Sequence, residues 1–167
     1  GRSRGLGDVY KRQVEFDKKD KDFANKIRST LTEIDILDSF QRIGIKAPLD
    51  MPLCDFVAPL NSVSSGGIGS TDVGDVSWVV PTVQARVATC AVGTPFHTWQ
   101  TVAQGKAPAA HKGMVHAAKI MASTACALIN GPKKLNNAKE AFKKQIKKNP
   151  YLCPIPNGVK PPIIKHE

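Results

Sequence analysis

The sequence lacks an apolar run long enough to cross a membrane. Its longest apolar stretch, within residues 114–129, is broken by four polar or charged side chains: His116, Lys119, Ser123 and Thr124. A membrane-spanning helix needs about 20 nearly unbroken apolar residues, so we predict no span and no membrane partner. The opening residues, GRSRGLGD, also lack the apolar segment of a secretory signal peptide.

Cysteine is scarce, and its spacing excludes the common zinc motifs. The four cysteines form no CxxC pair and no cysteine–histidine pair at zinc-finger spacing. Widely spaced cysteines of this kind are typical of reduced, mostly buried thiols. We therefore expect a cytoplasmic protein, since the cytosol keeps thiols reduced.

The net charge of +10 is confined to the two ends of the chain. Residues 1–13 carry four Arg or Lys and one Asp, residues 131–167 carry nine Lys and two Glu, and residues 14–130 carry eleven of each sign. Near the C-terminus Ala138, Phe142 and Ile146 recur every four residues among the lysines, which predicts an amphipathic helix with a solvated lysine face. Arginines and aromatics are not interleaved there, so no nucleic-acid partner is predicted.

The segment boundaries follow from composition. The opening GLGDVYKRQ is similar to translated sequencing adapter, so residues 1–13 are predicted to be a non-native leader and the native N-terminal part to be missing. Residues 14–132 then form the candidate domain. Residues 133–167 are predicted to form the Lys-rich helix and a Pro-rich tail.

Hydrophobic periodicity predicts an α/β fold. Helices are predicted over residues 17–32 and about 109–129, and a weaker helix or a turn over residues 34–44. Alternation over residues 83–90 predicts a strand. The third helix has a broad apolar face that we expect to be buried between a sheet and another layer. That face is made of Met114, Ala118, Met121, Ala125 and Leu128. We expect these elements to form part of a domain in which helices pack against a mixed sheet.

His97, in the stretch VGTPFHTWQ, is the first candidate for chemistry. A histidine after a strand can ligate a metal through one ring nitrogen. A metal site needs three or more ligands, and no HExxH or other paired ligand lies nearby. His97 is therefore either one ligand of a site completed elsewhere or a hydrogen-bonded structural histidine.

The glycine-rich stretch SSGGIGSTDVGD is the second candidate. It has neither the Lys-Ser/Thr of a phosphate-binding P-loop nor the spacing of a dinucleotide fingerprint. It is either a connection whose Asp72 and Asp75 cap a helical turn or a loop that approaches a ligand. Ser70, His97 and Asp72 contain the residue types of a hydrolytic triad, but the GxSxG elbow is absent.

Three segments together resemble a known family. They are GSTDVGDVSWVVPTVQ, GTPFHTWQTVAQGKAPAAHKGM and AAKIMASTA, and the C-terminal tail is similar as well. The resemblance is to the C-terminal part of metal-dependent amidohydrolases, the family of aminoacylase and of a zinc carboxypeptidase that cleaves folate glutamate. It implies an α/β catalytic domain interrupted by a lid domain that mediates dimerisation. It also implies hydrolysis of p-aminobenzoyl-glutamate or similar N-acyl amino acids by a metal-activated water, with two zinc or manganese ions.

The resemblance also implies roles for particular residues. His97 matches the last metal ligand of the family, and Gly69, Ser70, Thr71 and Asp72 match a loop near the substrate. No part of this chain matches the earlier ligands, the glutamate base or the lid domain. We therefore expect no catalytic residue in this chain, an inactive fragment, and a homo- or hetero-oligomer of the full protein through the missing lid. The alternative is a non-catalytic lysine-rich module that binds anionic partners.

Overall fold

The computed structural model describes residues 13–43, 49–58, 71–160 and 162, and six helices lie within these ranges. They are α1 (Lys18–Arg28), α2 (Glu33–Ile43), α3 (Val73–Val79), α4 (Trp99–Gln104), α5 (Pro108–Ile129) and α6 (Pro132–Lys148). The chain forms two compact units. The first comprises Gly1–Ser70 and Val83–Pro132, and the second comprises Thr71–Thr82 and Lys133–Glu167. Twelve of the thirteen residues predicted to be a leader, residues 1–12, lie outside the described ranges.

The predicted α/β fold with a mixed sheet is wrong for this structure. The described residues are helical or irregular, and they contain no strand. Residues 81–89, where alternation predicted a strand, have no regular structure, and Val83 is largely exposed. A strand exists only when its backbone groups pair with a neighbour, and alternation in one segment does not supply that neighbour.

The core of the first unit is small and depends on α1. Ala24 and Ile27 of that helix pack with Leu53, Ala91 and Ala109. Leu53 is only 1% exposed and is the largest fully buried side chain among the described residues. The core therefore joins α1, the start of α5 and the segment that leads to His97.

Helix α1 begins with a reciprocal cap. The Asp17 side chain accepts from the Asp20 backbone N–H at 3.0 Å, and the Asp20 side chain accepts from the Asp17 N–H at 3.0 Å. Asp20 is buried, and its carboxylate is paired with Lys112 of α5, which also lies 2.8 Å from Asp17. This ion pair joins the start of α1 to α5 across 92 residues of chain.

Replacing Lys112 with methionine is expected to lower the melting temperature of the chain by several degrees at neutral pH. The change leaves the buried Asp20 carboxylate without its cation, which is strongly destabilising. Thermal unfolding followed by circular dichroism measures the effect. Lys119→Met, at an exposed position of the same helix, is the control and should leave the transition unchanged.

The pH dependence of the loss of stability in Lys112→Met tests the pairing of Lys112 with Asp17 and Asp20. The Lys112 hydrogen bond lowers the pKa of Asp17, and the carboxylates raise the pKa of Lys112. The Asp17 contribution is present above the unfolded pKa of about 4 and is lost as pH falls through the lower folded value. The Lys112 contribution is present below about pH 10.4 and is lost as pH rises through the higher folded value. A loss in Lys112→Met as large at about pH 2 as at about pH 7 would contradict the pairing.

Helix α5 confirms the predicted helix, but the predicted buried face is wrong. Met114 and Met121 are 61% and 66% exposed, whereas the buried positions are Ala109, Ala110, Gly113 and Ser123. Gly113 sets this rotation, because it brings α5 against the backbone of Ala88. Among the described residues no helix, α5 included, has the combination of length and apolar character that a membrane crossing requires.

The second unit contains α3 and α6. The lysine-rich helix is confirmed, and its seven lysines are exposed while Leu135, Phe142 and Ile146 are half-buried. Tyr151, beyond α6, donates a hydrogen bond of 2.8 Å to Asp75 of α3, and its ring lies 6.1 Å from that of Trp78. This hydrogen bond raises the pKa of Tyr151 to about 12, so the phenol keeps its proton and remains a donor to Asp75.

Candidate functional site

His97 lies in an irregular turn immediately before α4. Its φ of 63° is in the left-handed region, and it is the only described non-glycine residue there. Its side chain is exposed, and the neighbouring Phe96 and Trp99 are 74% and 60% exposed. The left-handed conformation costs a non-glycine residue on the order of 1 kcal/mol, so the surrounding turn must stabilise it.

Threonine hydroxyls supply much of that stabilisation. Thr94 donates its hydroxyl to the Ala91 carbonyl at 2.7 Å, and Thr98 and Thr101 both donate to the Pro95 carbonyl at 2.7 Å. The Thr98 hydroxyl also caps α4 by accepting from the Thr101 N–H. The backbone on both sides of His97 is therefore held by local hydrogen bonds, as side-chain-to-backbone bonds hold turns elsewhere.

A buried amide completes the turn from within. Gln104, the last residue of α4, is 3% exposed. Its Oε1 accepts from the Ala91 N–H at 2.7 Å, and its Nε2 donates to the Thr94 hydroxyl and to the Gln100 carbonyl, both at 3.0 Å. Sequence reasoning missed Gln104, since a glutamine in TVAQG carries no pattern that distinguishes it from a solvated one.

Three neighbouring segments anchor the turn in the first unit. The Val92 N–H donates to the Pro52 carbonyl at 2.9 Å, and the Gln100 amide donates to the Thr30 hydroxyl at 3.5 Å. Gly93, with φ of 94°, lies against Ile36 of α2, and a Cβ at this position would be 2.8 Å from Ile36 Cγ1. Only glycine combines that φ with so close an approach.

The described residues do not build a metal site by themselves. No three of their His, Cys, Asp or Glu side chains come together in a way that could hold a metal ion. His97 offers one nitrogen donor, while three or more protein ligands are usual for zinc. Cys90, near the turn, is a poor further ligand, because burial raises the pKa of its thiol and disfavours the thiolate.

The predicted substrate loop is only partly described. Gly69 and Ser70 lie outside the described residues. The Thr71 hydroxyl accepts from the Val73 N–H at 3.3 Å, and Asp72 occupies the N-cap position of α3 without a side-chain hydrogen bond. Both residues belong to the second unit and His97 to the first, so the role of this loop near a substrate stays a prediction.

The second unit also has an open cavity of about 310 Å³ between α3 and α6. Its lining consists of Ser77, Pro81, Thr82, Ala138, Ala141, Phe142 and Gln145. These side chains include no acid and no base, so the cavity offers no group for proton transfer.

The chain is similar in sequence to part of a known hydrolase. The chain is similar to a subunit of the p-aminobenzoyl-glutamate hydrolase of Escherichia coli (strain K12). The two are 37% identical over 161 residues, which covers 90% of this chain and 34% of the Escherichia coli protein. This similarity confirms the resemblance predicted from the motifs around His97.

The chain therefore spans about a third of the length of the curated relative it matches. No protein-family model matches the chain, and no solved structure matches it. Because the similarity to the Escherichia coli protein extends over nine tenths of this chain, it includes the three central segments from which the resemblance was predicted.

Proposed function

We propose that this chain is the C-terminal part of a hydrolase that cleaves the amide bond of p-aminobenzoyl-glutamate or of a similar N-acyl amino acid. The observation that carries the proposal is the 37% identity to a p-aminobenzoyl-glutamate hydrolase subunit along 90% of this chain. The turn around His97 supports it, because an exposed histidine with an unfavourable φ, in a turn whose neighbouring residues are held by hydrogen bonds, is typical of a functional position.

In this proposal His97 is one ligand of a divalent metal, zinc or manganese, in a two-metal site. When bound, such a metal makes a water molecule nucleophilic and polarises a carbonyl. The remaining ligands and the general base belong to parts of the longer protein beyond the described residues. The turn's contribution is to hold the His97 backbone so that the imidazole is exposed, and less ordering of the chain is then needed when the metal binds.

The oligomeric state and the cellular setting belong to the same proposal. The Escherichia coli relative is named as a subunit, so we expect the longer protein to work in an oligomer. All four cysteines are free thiols, which supports a cytoplasmic protein. We also expect the predicted substrate loop, which contains Thr71 and Asp72, to approach the substrate in the longer protein.

The decisive experiment is to clone the reading frame that extends upstream of Val14 and to assay the longer protein. We expect release of p-aminobenzoate from p-aminobenzoyl-glutamate, lost after chelation and restored by zinc or manganese. The 167-residue chain, purified in the same way, is the control and should be inactive. Absence of hydrolysis by a folded longer protein that contains the upstream region would refute the proposal.

A lysine-rich binding module is the competing function. The exposed lysines of α6 are the observation that favours it, since Lys143 alone among them has an ion pair, 3.0 Å from Glu140, within the described residues. Binding of the longer protein to an acidic polymer at physiological salt, without hydrolysis, would support the module instead.

A further inference from the structure

We propose that Gln104 is a positioning residue for His97. Its buried amide holds the start of the turn and thereby keeps His97 in its left-handed, exposed conformation. The catalytic consequence depends on the proposed function of His97. The structural part does not, and it is tested on this chain alone.

Every hydrogen-bonding group of the Gln104 amide is used. The side chain of glutamine has one oxygen acceptor and two N–H donors. The oxygen accepts from Ala91, and the nitrogen donates to Thr94 and to the Gln100 carbonyl. Ala91 is itself buried, so losing the amide leaves its N–H without a partner and without access to water.

The effect reaches His97 because two of the points at which the turn is held lie only a few residues apart on its N-terminal side. Gln104 and Thr94 hold the backbone at Ala91, and the Thr98 and Thr101 hydroxyls hold Pro95. His97 lies two residues after Pro95 and has an unfavourable φ. When Gln104 no longer holds Ala91, the backbone of His97 can relax to an extended conformation, which is lower in local energy.

A glutamate at this position provides a reversible test. In Gln104→Glu the protonated carboxyl has one acceptor for the Ala91 N–H and one O–H donor for Thr94 or the Gln100 carbonyl. The ionised carboxylate has no donor, and it places negative charge beside the Gln100 carbonyl oxygen. The variant should therefore resemble the wild type at low pH. At high pH the carboxylate loses the hydrogen bonds to Thr94 and the Gln100 carbonyl, is repelled by that carbonyl oxygen, and leaves its buried position beside Ala91 for water.

The readout is the pair of backbone Cα and Cβ chemical shifts of His97 in isotopically labelled chain, because these shifts report φ. In Gln104→Glu we expect wild-type shifts at about pH 4 and shifts of an extended residue at about pH 8, with a midpoint above the ordinary glutamate pKa of about 4.3. The ionisable side chains around the turn are His97, Cys90 near it and Asp35 beside Ile36, so the pH dependence of the wild-type shifts is measured in parallel and subtracted.

Gln100→Leu is the matched control. It removes a glutamine side chain from the same helix but keeps the Gln100 carbonyl that Gln104 contacts, and the Gln100 amide itself makes only a long, exposed hydrogen bond of 3.5 Å to Thr30, which is too weak to hold the turn. We expect the His97 shifts to stay within the wild-type range at both pH values. Signals of Ala24 and Ile27, in the core of the first unit, report whether that unit is folded in each variant.

Each outcome decides the proposal. A change in the His97 chemical shifts of Gln104→Glu at high pH that reverses at low pH supports the positioning role of Gln104. Shifts that stay wild-type at both pH values, or that are displaced at both, overturn it. A variant unfolded at both pH values also overturns it, since the amide would then serve folding rather than His97.

The catalytic arm separates this inference from the proposed function. If the longer protein hydrolyses p-aminobenzoyl-glutamate, Gln104→Glu should lower kcat/KM about 10- to 100-fold above its midpoint and much less below it. If the His97 shifts of Gln104→Glu change with pH but the longer protein does not hydrolyse p-aminobenzoyl-glutamate, the positioning role of Gln104 is supported and the proposed function is refuted. If the longer protein is active but the His97 shifts of Gln104→Glu do not change with pH, the proposed function is supported and the positioning role is refuted.

Discussion

Replacing His97 with alanine is expected to abolish hydrolysis by the longer protein while its fold survives. The imidazole is exposed, so its removal takes little from the core. If it is a metal ligand, kcat/KM should fall by more than about 100-fold, because even the outer partners of metal ligands are worth about 10- to 100-fold. Metal content, measured by mass spectrometry of the purified protein, should fall in parallel.

Backbone conformation needs its own control in this experiment. Alanine at φ of 63° is strained, so lost activity could come from a rearranged turn. His97→Gly removes the same ring and adopts that φ freely, and we expect it to be as inactive as His97→Ala. Either variant retaining full metal stoichiometry and turnover would refute the assignment of His97 as a ligand.

Replacing Gly113 with alanine is expected to destabilise the chain by about 1–3 kcal/mol or more. An added Cβ would lie 2.2 Å from the Ala88 carbonyl oxygen and 2.9 Å from Thr89 Cγ2. The first contact is with backbone, which cannot move aside as a flexible side chain can. Helix propensity alone would favour alanine over glycine by about 1 kcal/mol, so the sign of the result identifies the close approach.

Gly105→Ala is the matched control in the same unit. Gly105 has φ of −59°, and its nearest prospective contact is the Val102 carbonyl oxygen at 3.4 Å. An ordinary contact and an ordinary φ predict a small increase, about 0.4–1 kcal/mol, in the free energy of unfolding, because alanine leaves the unfolded chain less freedom than glycine does. Chemical denaturation of both variants compares them, and equal effects in the two would show that Gly113 makes no special contact.

Helices α1, α2, α5 and α6 were predictable because their signals are local, whereas the short helices α3 and α4 were not predicted. The acidic residues that open α1 form the observed cap, and Asn130-Gly131-Pro132 stops α5 next to its last residue, Ile129. The position of His97 outside regular structure also followed from the turn residues around it. These features depend on neighbours within a few residues in the chain, which the sequence contains in full.

The buried face of α5 was not predictable from its apolar pattern. Methionines at 114 and 121 defined the widest apolar stripe, yet they are exposed, and the contact face contains Gly113 and Ser123. The rotation of a helix depends on how closely another segment can approach it. Here the smallest residue permits that approach, and hydrophobicity does not report size.

The sequence by itself determined the start of α1, both ends of α2 and α5, the lysine face of α6 and the resemblance of the segments around His97 to a known family, since each depends on residue types at short spacing. The tertiary structure alone decided three things: residues 83–89 lack a strand partner within the described chain, α5 turns Gly113 inward, and Gln104 reaches Ala91 and Thr94. Each is a contact between segments, and a contact of this kind depends on where the backbone of a second segment lies.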